Sequence, residues 1–184
     1  DCGDIDLYEH FKENFELDIV KKSLKIYKNM QRSTIGYLDE FINLGVPDWR
    51  LDKIPHLYQN IIDNDEIFDL ITLKRKDREK LYRFSRDVNS LCKMLAAYPV
   101  LDCFNSCDLR DKNVVYKKKD QSTSIIDLGE SAICHPFFSL FHYLNHIFDR
   151  YSLEENSREY IELVETSFSG WVNSDADLAS LLNG

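Results

Sequence analysis

Three residues in the middle of the chain have the types and spacing that phosphoryl transfer requires. Asp108 and Asn113 are the first and last residues of DLRDKN, and Asp127 begins a DLG triplet further on. In this chemistry one carboxylate orients and deprotonates the attacking hydroxyl, while an Asn and a second Asp hold Mg²⁺ against the phosphates. We therefore take Asp108 as the candidate catalytic base, and Asn113 and Asp127 as the candidate magnesium ligands.

A β-hairpin is predicted between these residues. Val114 to Tyr116 form a short β-branched and aromatic run, residues 117–122 are polar and turn-like, and residues 124–127 resume a strand. Because antiparallel pairing brings the two outer ends of a hairpin together, Asn113 and Asp127 are expected to lie side by side.

Helices are predicted on both sides of the hairpin from apolar residues that recur at helical spacing. Gly45 and Pro47 should end the second helix, and Pro55 suits the first turn of the third. Apolar stripes through Phe84 and Leu91, and through Phe141, are expected to face the core. The predicted ranges are 17–30, 35–44, 55–62, 77–98, 137–148 and 157–168, with a short helix capped by Asp175. The fold class is thus mainly α with a small central β-hairpin.

Composition limits the classes of function. The chain has 184 residues and a net charge of −9, enough for one domain over residues 1–184 with a single core. The acidic balance argues against nucleic acid and fits a small molecule that is cationic or neutral. No apolar run is long enough to span a bilayer and no signal-peptide pattern is present. We therefore expect no membrane partner and a cytoplasmic location.

The cysteine and histidine patterns do not predict a metal centre. The chain has five cysteines, an odd number without the spacing of a disulfide framework, which favours reduced, buried thiols. Cys103 and Cys107 are separated by three residues, a looser spacing than the C-x-x-C pair common in zinc sites. His142 and His146 are four residues apart, but Tyr143 stands where a zinc protease motif has Glu.

The central block resembles the aminoglycoside phosphotransferase family, which belongs to a wider kinase-like group that includes choline kinases. The resemblance lies in residues 106–113 (SCDLRDKN) and 125–130 (IIDLGE). Residues 135–140 (HPFFSL) look like the family's entry into the next helix, and residues 45–53 (GVPDWRLDK) resemble a stretch found before the motif in some members. Most of the chain is covered, although only the central block is specific.

The resemblance implies the helical C-terminal lobe of a protein-kinase-like fold. It implies Mg²⁺ and ATP or GTP as cofactors, and a small-molecule acceptor with a hydroxyl group, possibly cationic, in an acidic cleft between helices. The chain has six glycines but no G-x-G, and no strand-borne Lys precedes the helices. We therefore expect the N-terminal nucleotide-binding lobe to be absent from this chain, and the fragment alone to be inactive.

Two positions depart from the family pattern and leave two functions open. Ser106 stands where the family usually has a His that supports the loop. Arg110 stands where many members have His or Asn, and its cation would reach the transferred phosphate; the alternative is that it pairs with Asp111 or faces solvent. The main hypothesis is a small-molecule phosphotransferase with Asp108 and Arg110 as catalytic residues. The alternative is a non-catalytic, kinase-like binding module.

Overall fold

The computed structural model describes residues 4–71 and 73–171. Its α-helices are α1 (Leu7–His10), α2 (Leu17–Thr34), α3 (Leu38–Asn43), α4 (Ile54–Ile62), α5 (Asp65–Ile71), α6 (Arg75–Ala96), α7 (Phe137–Tyr151) and α8 (Arg158–Phe168). Its strands are β1 (Asp4–Asp6), β2 (Asp48–Trp49), β3 (Cys103–Ser106), β4 (Val114–Lys117), β5 (Ser122–Ile125) and β6 (Ser131–Cys134). Short 3₁₀ turns cover Ile35–Tyr37 and Asp111–Asn113.

The strands form two small sheets. In the first, β4 pairs antiparallel with both β1 and β5, and Val114 lies opposite Ile125. In the second, β6 lies between β2, which is parallel to it, and β3, which is antiparallel. The predicted hairpin is confirmed as β4–β5. The other four strands were not predicted, because runs of two to four residues are too short to show an alternating pattern.

Most helix boundaries follow the predicted signals. Gly45 adopts a φ of 95° after α3; its N–H donates to Ile42, and the N–H of Val46 donates to Phe41, which makes a Schellman cap. The Ser157 hydroxyl caps α8 by accepting from the backbone N–H of Tyr160. The predicted helix after Asp175 lies outside the described residues. Among the described helices, none has the length and apolar character needed to cross a membrane.

The core lies where α2 packs against α7 and α8. Leu24 and Tyr27 of α2, Leu140 and Tyr143 of α7, and Leu163 of α8 are all fully buried. Their spacing of three residues within α2 and within α7 places them on one face of each helix. The same core reaches β3 and β4, so the loop between these strands stands on a packed base.

Part of the predicted core is exposed. On α6, Phe84 and Leu91 are 44% and 52% exposed, whereas Val88 and Cys92 are buried. The helix packs mainly against α4, and a single partner covers only a narrow stripe of a helix. On α7, Phe141 is 59% exposed at the edge of the packed face. The predictions that placed Phe84, Leu91 and Phe141 in the core were therefore wrong.

A matched pair of leucine substitutions separates the true core from the apparent one. Leu140→Ala should lower the free energy of unfolding by about 2–5 kcal/mol, since it opens a cavity at a fully buried position. Leu91→Ala should change it by less than about 1 kcal/mol, since the side chain is half exposed. Urea denaturation measures both, and equal losses would contradict the packing described.

Candidate functional site

The loop between β3 and β4 is held beside the turn that follows β5. The backbone N–H of Cys107 donates to the carbonyl of Glu130 at 2.7 Å, and the N–H of Ile126 donates to the carbonyl of Asn113 at 2.9 Å. These two bonds fix residues 107–113 and 126–130 against each other at both ends. Ile126, which bonds to Asn113, directly precedes Asp127 in the sequence. Asp127 therefore lies near Asn113.

Asp108 and Asn113 are in direct contact. The side-chain amide of Asn113 donates to the backbone carbonyl of Asp108 at 2.7 Å and to its carboxylate oxygen Oδ2 at 3.3 Å. Within the described residues, nothing donates a hydrogen bond to the Asn113 amide oxygen. The amide oxygen of Asn113 is therefore available to bind a cation, while the amide nitrogen holds the loop through its two hydrogen bonds to Asp108.

Arg110 contacts the other oxygen of the same carboxylate. Its guanidinium forms an ion pair with Asp108 Oδ1, and its side chain remains about half exposed. The alternative expected from the sequence was that Arg110 pairs with Asp111 or faces solvent without a partner. Arg110 instead pairs with Asp108. Both carboxylate oxygens of Asp108 thus have a contact within the loop.

Asp127 has an unusual backbone conformation. Its φ is 57°, in the left-handed region that non-glycine residues seldom adopt and that costs about 1–2 kcal/mol. The residue is exposed, and within the described residues no donor contacts its carboxylate. A Cβ at Gly129 would lie 3.7 Å from Asp127 Oδ1, so the carboxylate lies close to the glycine turn. With this φ, Asp127 does not continue the extended backbone of β5.

The available donor atoms suit a hard cation. No group of three or more His, Cys, Asp or Glu residues in the described part of the chain is arranged to hold a metal ion. Mg²⁺ instead takes a few oxygen ligands and completes its shell with water and phosphate oxygens. The amide oxygen of Asn113 and the carboxylate of Asp127 are donors of that kind.

Asp111 is the residue of this loop that sequence analysis did not single out. Its carboxylate is 1% exposed and accepts from His146 Nε2 at 2.9 Å and from the Tyr151 hydroxyl at 2.7 Å, and Arg150 Nε lies 3.1 Å away. All three partners belong to α7. Burial, reinforced by the hydrogen bond to Asp111, raises the pKa of the Tyr151 hydroxyl. The spacing of His146 and Arg150 at i and i+4 was the available signal, since it puts two donors on one helix face.

A second set of contacts supports the start of the loop. The Tyr27 hydroxyl accepts from the backbone N–H of Ser106 at 2.8 Å and donates to Ser139 Oγ at 2.9 Å. Asn105 Oδ1 accepts from Ser139 Oγ at 2.6 Å and from Gln31 Nε2 at 2.7 Å. Burial raises the pKa of Tyr27, which keeps its hydroxyl protonated. The backbone at Ser106 is therefore held from α2.

His135 is buried between β6 and α7. Its Nδ1 accepts from the backbone N–H of Phe137 at 3.3 Å, at the start of α7. Burial lowers the pKa of the imidazole from 6.5 to about 4, so it is neutral at physiological pH. The arrangement agrees with a structural role for His135.

Comparisons with known proteins identify the fold. No family model matches the chain, and no curated protein matches it by sequence. Among solved structures it is similar to an ethanolamine kinase of Plasmodium vivax, with a TM-score of 0.60 and 18% identity over 91% of this chain and 48% of that one. It is also similar to the choline kinase LicA of Streptococcus pneumoniae, with a TM-score of 0.52 and 17% identity over 96% of this chain and 53% of that one.

These likenesses establish the fold class. The chain has the fold of the helical C-terminal lobe of protein-kinase-like structures, as the sequence predicted. It spans about half the length of the solved structures that it matches.

The anchoring role of Asp111 is testable by a double-mutant cycle. Asp111→Asn and Tyr151→Phe should each destabilise the fold, because the first removes the charge that accepts from Tyr151 and the second removes the hydroxyl that donates to it; a hydrogen bond to a charged group is worth about 1.5–3 kcal/mol. The double variant should lose less than the sum, with a coupling of about 0.5–3 kcal/mol. Asp149→Asn, at an exposed position of α7, is the control. Strict additivity in urea denaturation would show that the two groups do not interact.

Acid stability reports on His135. The unfolded imidazole binds a proton as the pH falls through 6.5, whereas the folded one stays neutral until about 4. The stabilisation from neutral His135 is therefore complete above pH 6.5 and is lost as the pH falls toward 4, by about 3 kcal/mol in total.

His135→Asn tests this pH dependence. An Asn side chain retains an acceptor for the N–H of Phe137 but has no proton to gain. The free energy of unfolding of this variant should fall less between pH 7 and pH 4.5 than that of the wild type. Parallel curves would rule out His135 as the source.

Proposed function

We propose that the chain is the catalytic and acceptor-binding lobe of a phosphotransferase that acts on a hydroxyl group of a small molecule. The observation that carries the proposal is the contact of Asp108 with Asn113, next to Asp127, in a loop held at both ends. The solved structures with the same fold include kinases of ethanolamine and choline, which supports a small hydroxyl-bearing acceptor. The alternative acceptor is an amino sugar, as the resemblance to aminoglycoside phosphotransferases implies. Its hydroxyl would be phosphorylated by the same type of reaction.

In this proposal each residue has a defined task. Asp108 accepts the proton of the acceptor hydroxyl as its oxygen attacks the γ-phosphorus of ATP or GTP, and the bond from that phosphorus to the nucleoside diphosphate breaks. Asn113 and Asp127 would hold Mg²⁺, which neutralises charge on the phosphates when bound. Arg110 leaves Asp108 and pairs with the transferred phosphoryl group, so one cation serves two anions in turn.

Electrostatics supports the double role of Arg110. Its side chain is about half exposed, so the ion pair with Asp108 is screened by water and is weak. A phosphoryl group carries more negative charge than one carboxylate and accepts a bidentate guanidinium. Exchange of partners is therefore favourable once nucleotide is bound.

The non-catalytic binding module remains as a second candidate because of the same contact. Asp108 has both oxygens occupied, by Arg110 and Asn113, and Ser106 replaces the usual His. A protein that binds nucleotide without turnover would keep this arrangement permanently.

Two isosteric substitutions in the full-length protein distinguish the functions. Asp108→Asn should lower kcat by about 10²–10⁴-fold with nucleotide affinity kept, because it removes the base. Asp127→Asn should weaken both Mg²⁺-nucleotide binding and turnover, because it removes a metal ligand. Asp149→Asn, which is exposed on α7, is the matched control.

Steady-state kinetics together with nucleotide titration measures these effects. If the wild type binds nucleotide but turns over no acceptor, and Asp108→Asn changes nothing, the binding module is correct and the phosphotransferase proposal fails.

A further inference from the structure

Helix α6 is basic although the chain is acidic. Its 22 residues include seven Lys or Arg against three Asp or Glu, which gives the helix a net charge of +4. The whole chain carries −9, so the residues outside α6 together carry −13. Because salt at physiological concentration screens charges beyond about 8 Å, a partner that lies on α6 interacts mainly with the local positive charge.

Four cations of α6 have no anionic partner. Arg75 pairs with Glu79, Arg78 with Asp65, and Lys80 with Asp77. The cations that form no ion pair within residues 4–71 and 73–171 are those of Lys76, Arg83, Arg86 and Lys93, and all four side chains are exposed. The outer side of α6 therefore presents positive charge that the described part of the chain does not neutralise.

Large apolar side chains lie on the same outer side. Phe84, Leu91 and Met94 are 44%, 52% and 63% exposed. At 3.6 residues per turn these three side chains, together with those of Lys76 and Arg83, fall within an arc of about 100° around the helix axis. We call these five residues the α6 face. Asp87 is exposed within the same arc and is its one acidic residue.

This combination is typical of helices that lie on a membrane surface. Such helices insert apolar side chains at the level of the lipid headgroups, while Lys and Arg are attracted to the anionic lipids. A short acidic peptide would instead need a groove on this chain, and the outer face of a single helix is convex. The expectation of no membrane partner rested on the lack of a spanning segment, which does not bear on binding at the surface.

We propose that the α6 face binds the surface of an anionic lipid bilayer. The helix axis lies parallel to the membrane, Lys76 and Arg83 contact lipid phosphates, and Phe84, Leu91 and Met94 enter the headgroup region. Arg86 and Lys93, which lie beyond one edge of the arc, add to the attraction. The proposal concerns where the chain is held, so it does not depend on the proposed phosphotransferase function.

Cosedimentation with lipid vesicles tests the partner. The chain should bind vesicles of phosphatidylcholine that contain about 30% phosphatidylserine, and should not bind vesicles of phosphatidylcholine alone. Binding should weaken when NaCl is raised from about 0.1 M to about 0.5 M, because salt screens the attraction. Equal binding to both kinds of vesicle, or binding to neither, would overturn the proposal.

A double substitution on α6 tests the charge. Arg83→Gln with Arg86→Gln should weaken partition onto the phosphatidylserine vesicles by at least ~10-fold, since each cation near the surface contributes about 5-fold. Lys22→Gln with Lys25→Gln is the control, because it removes the same charge from exposed positions of α2. Equal losses in the two double variants would show that only the total charge matters, and would refute the role of α6.

Leu91→Ala tests the insertion of apolar side chains. It should weaken the same partition by about 3- to 10-fold, because less apolar surface leaves water. Ile161→Ala, at a 44% exposed position of α8, is the control and should bind as the wild type does.

Two results of these experiments would contradict the lipid assignment. Unchanged partition of Leu91→Ala would show that the α6 face does not enter the bilayer. Binding of the chain to soluble poly-glutamate, without binding to the phosphatidylserine vesicles, would assign the face to an acidic protein instead.

Discussion

The arrangement of the site depends on one buried carboxylate. Asp111 has given up its hydration almost completely, and such a loss is tolerated only when hydrogen bonds and opposite charge replace the water. His146, Arg150 and Tyr151 provide that replacement from one end of α7. Because Asp111 begins the 3₁₀ turn that ends at Asn113, α7 holds the backbone of this turn, while the Asn113 side chain is oriented by its hydrogen bonds to Asp108.

The loop has a second anchor of a different kind. At its start the Tyr27 hydroxyl holds a backbone N–H, and that hydroxyl belongs to a network of uncharged groups through Ser139, Asn105 and Gln31. A neutral network holds its geometry independently of pH and salt, whereas the Asp111 cluster carries charge. Asp108 lies between the two anchors, and its partly buried carboxylate contacts Arg110 and Asn113.

The sequence predicted the parts of this structure that depend on local signals. The hairpin, the Gly45 cap and the helix that carries Tyr27 follow from turn residues and from helical periodicity over many residues. The exposure of Phe84 and Leu91 was not predictable, because it depends on how many neighbours α6 has in three dimensions.

The same division holds within the candidate site. The spacing of Asp108, Asn113 and Asp127 was visible in the sequence. The burial of Asp111 was not, since it depends on side chains that meet only after α7 has packed against the loop. The pairing of Arg110 with Asp108 was not either, since it depends on the backbone conformation of the loop.

The central claim is that Asn113 and Asp127 hold one divalent cation beside Asp108. Paramagnetic relaxation tests it directly, with Mn²⁺ and a non-hydrolysable nucleotide added to the ¹⁵N-labelled full-length protein. We expect the amide signals of residues 108–113 and 126–130 to broaden together, while those of α6 remain sharp. Broadening centred on any other part of the chain, or nucleotide binding without broadening of both segments, would contradict the claim.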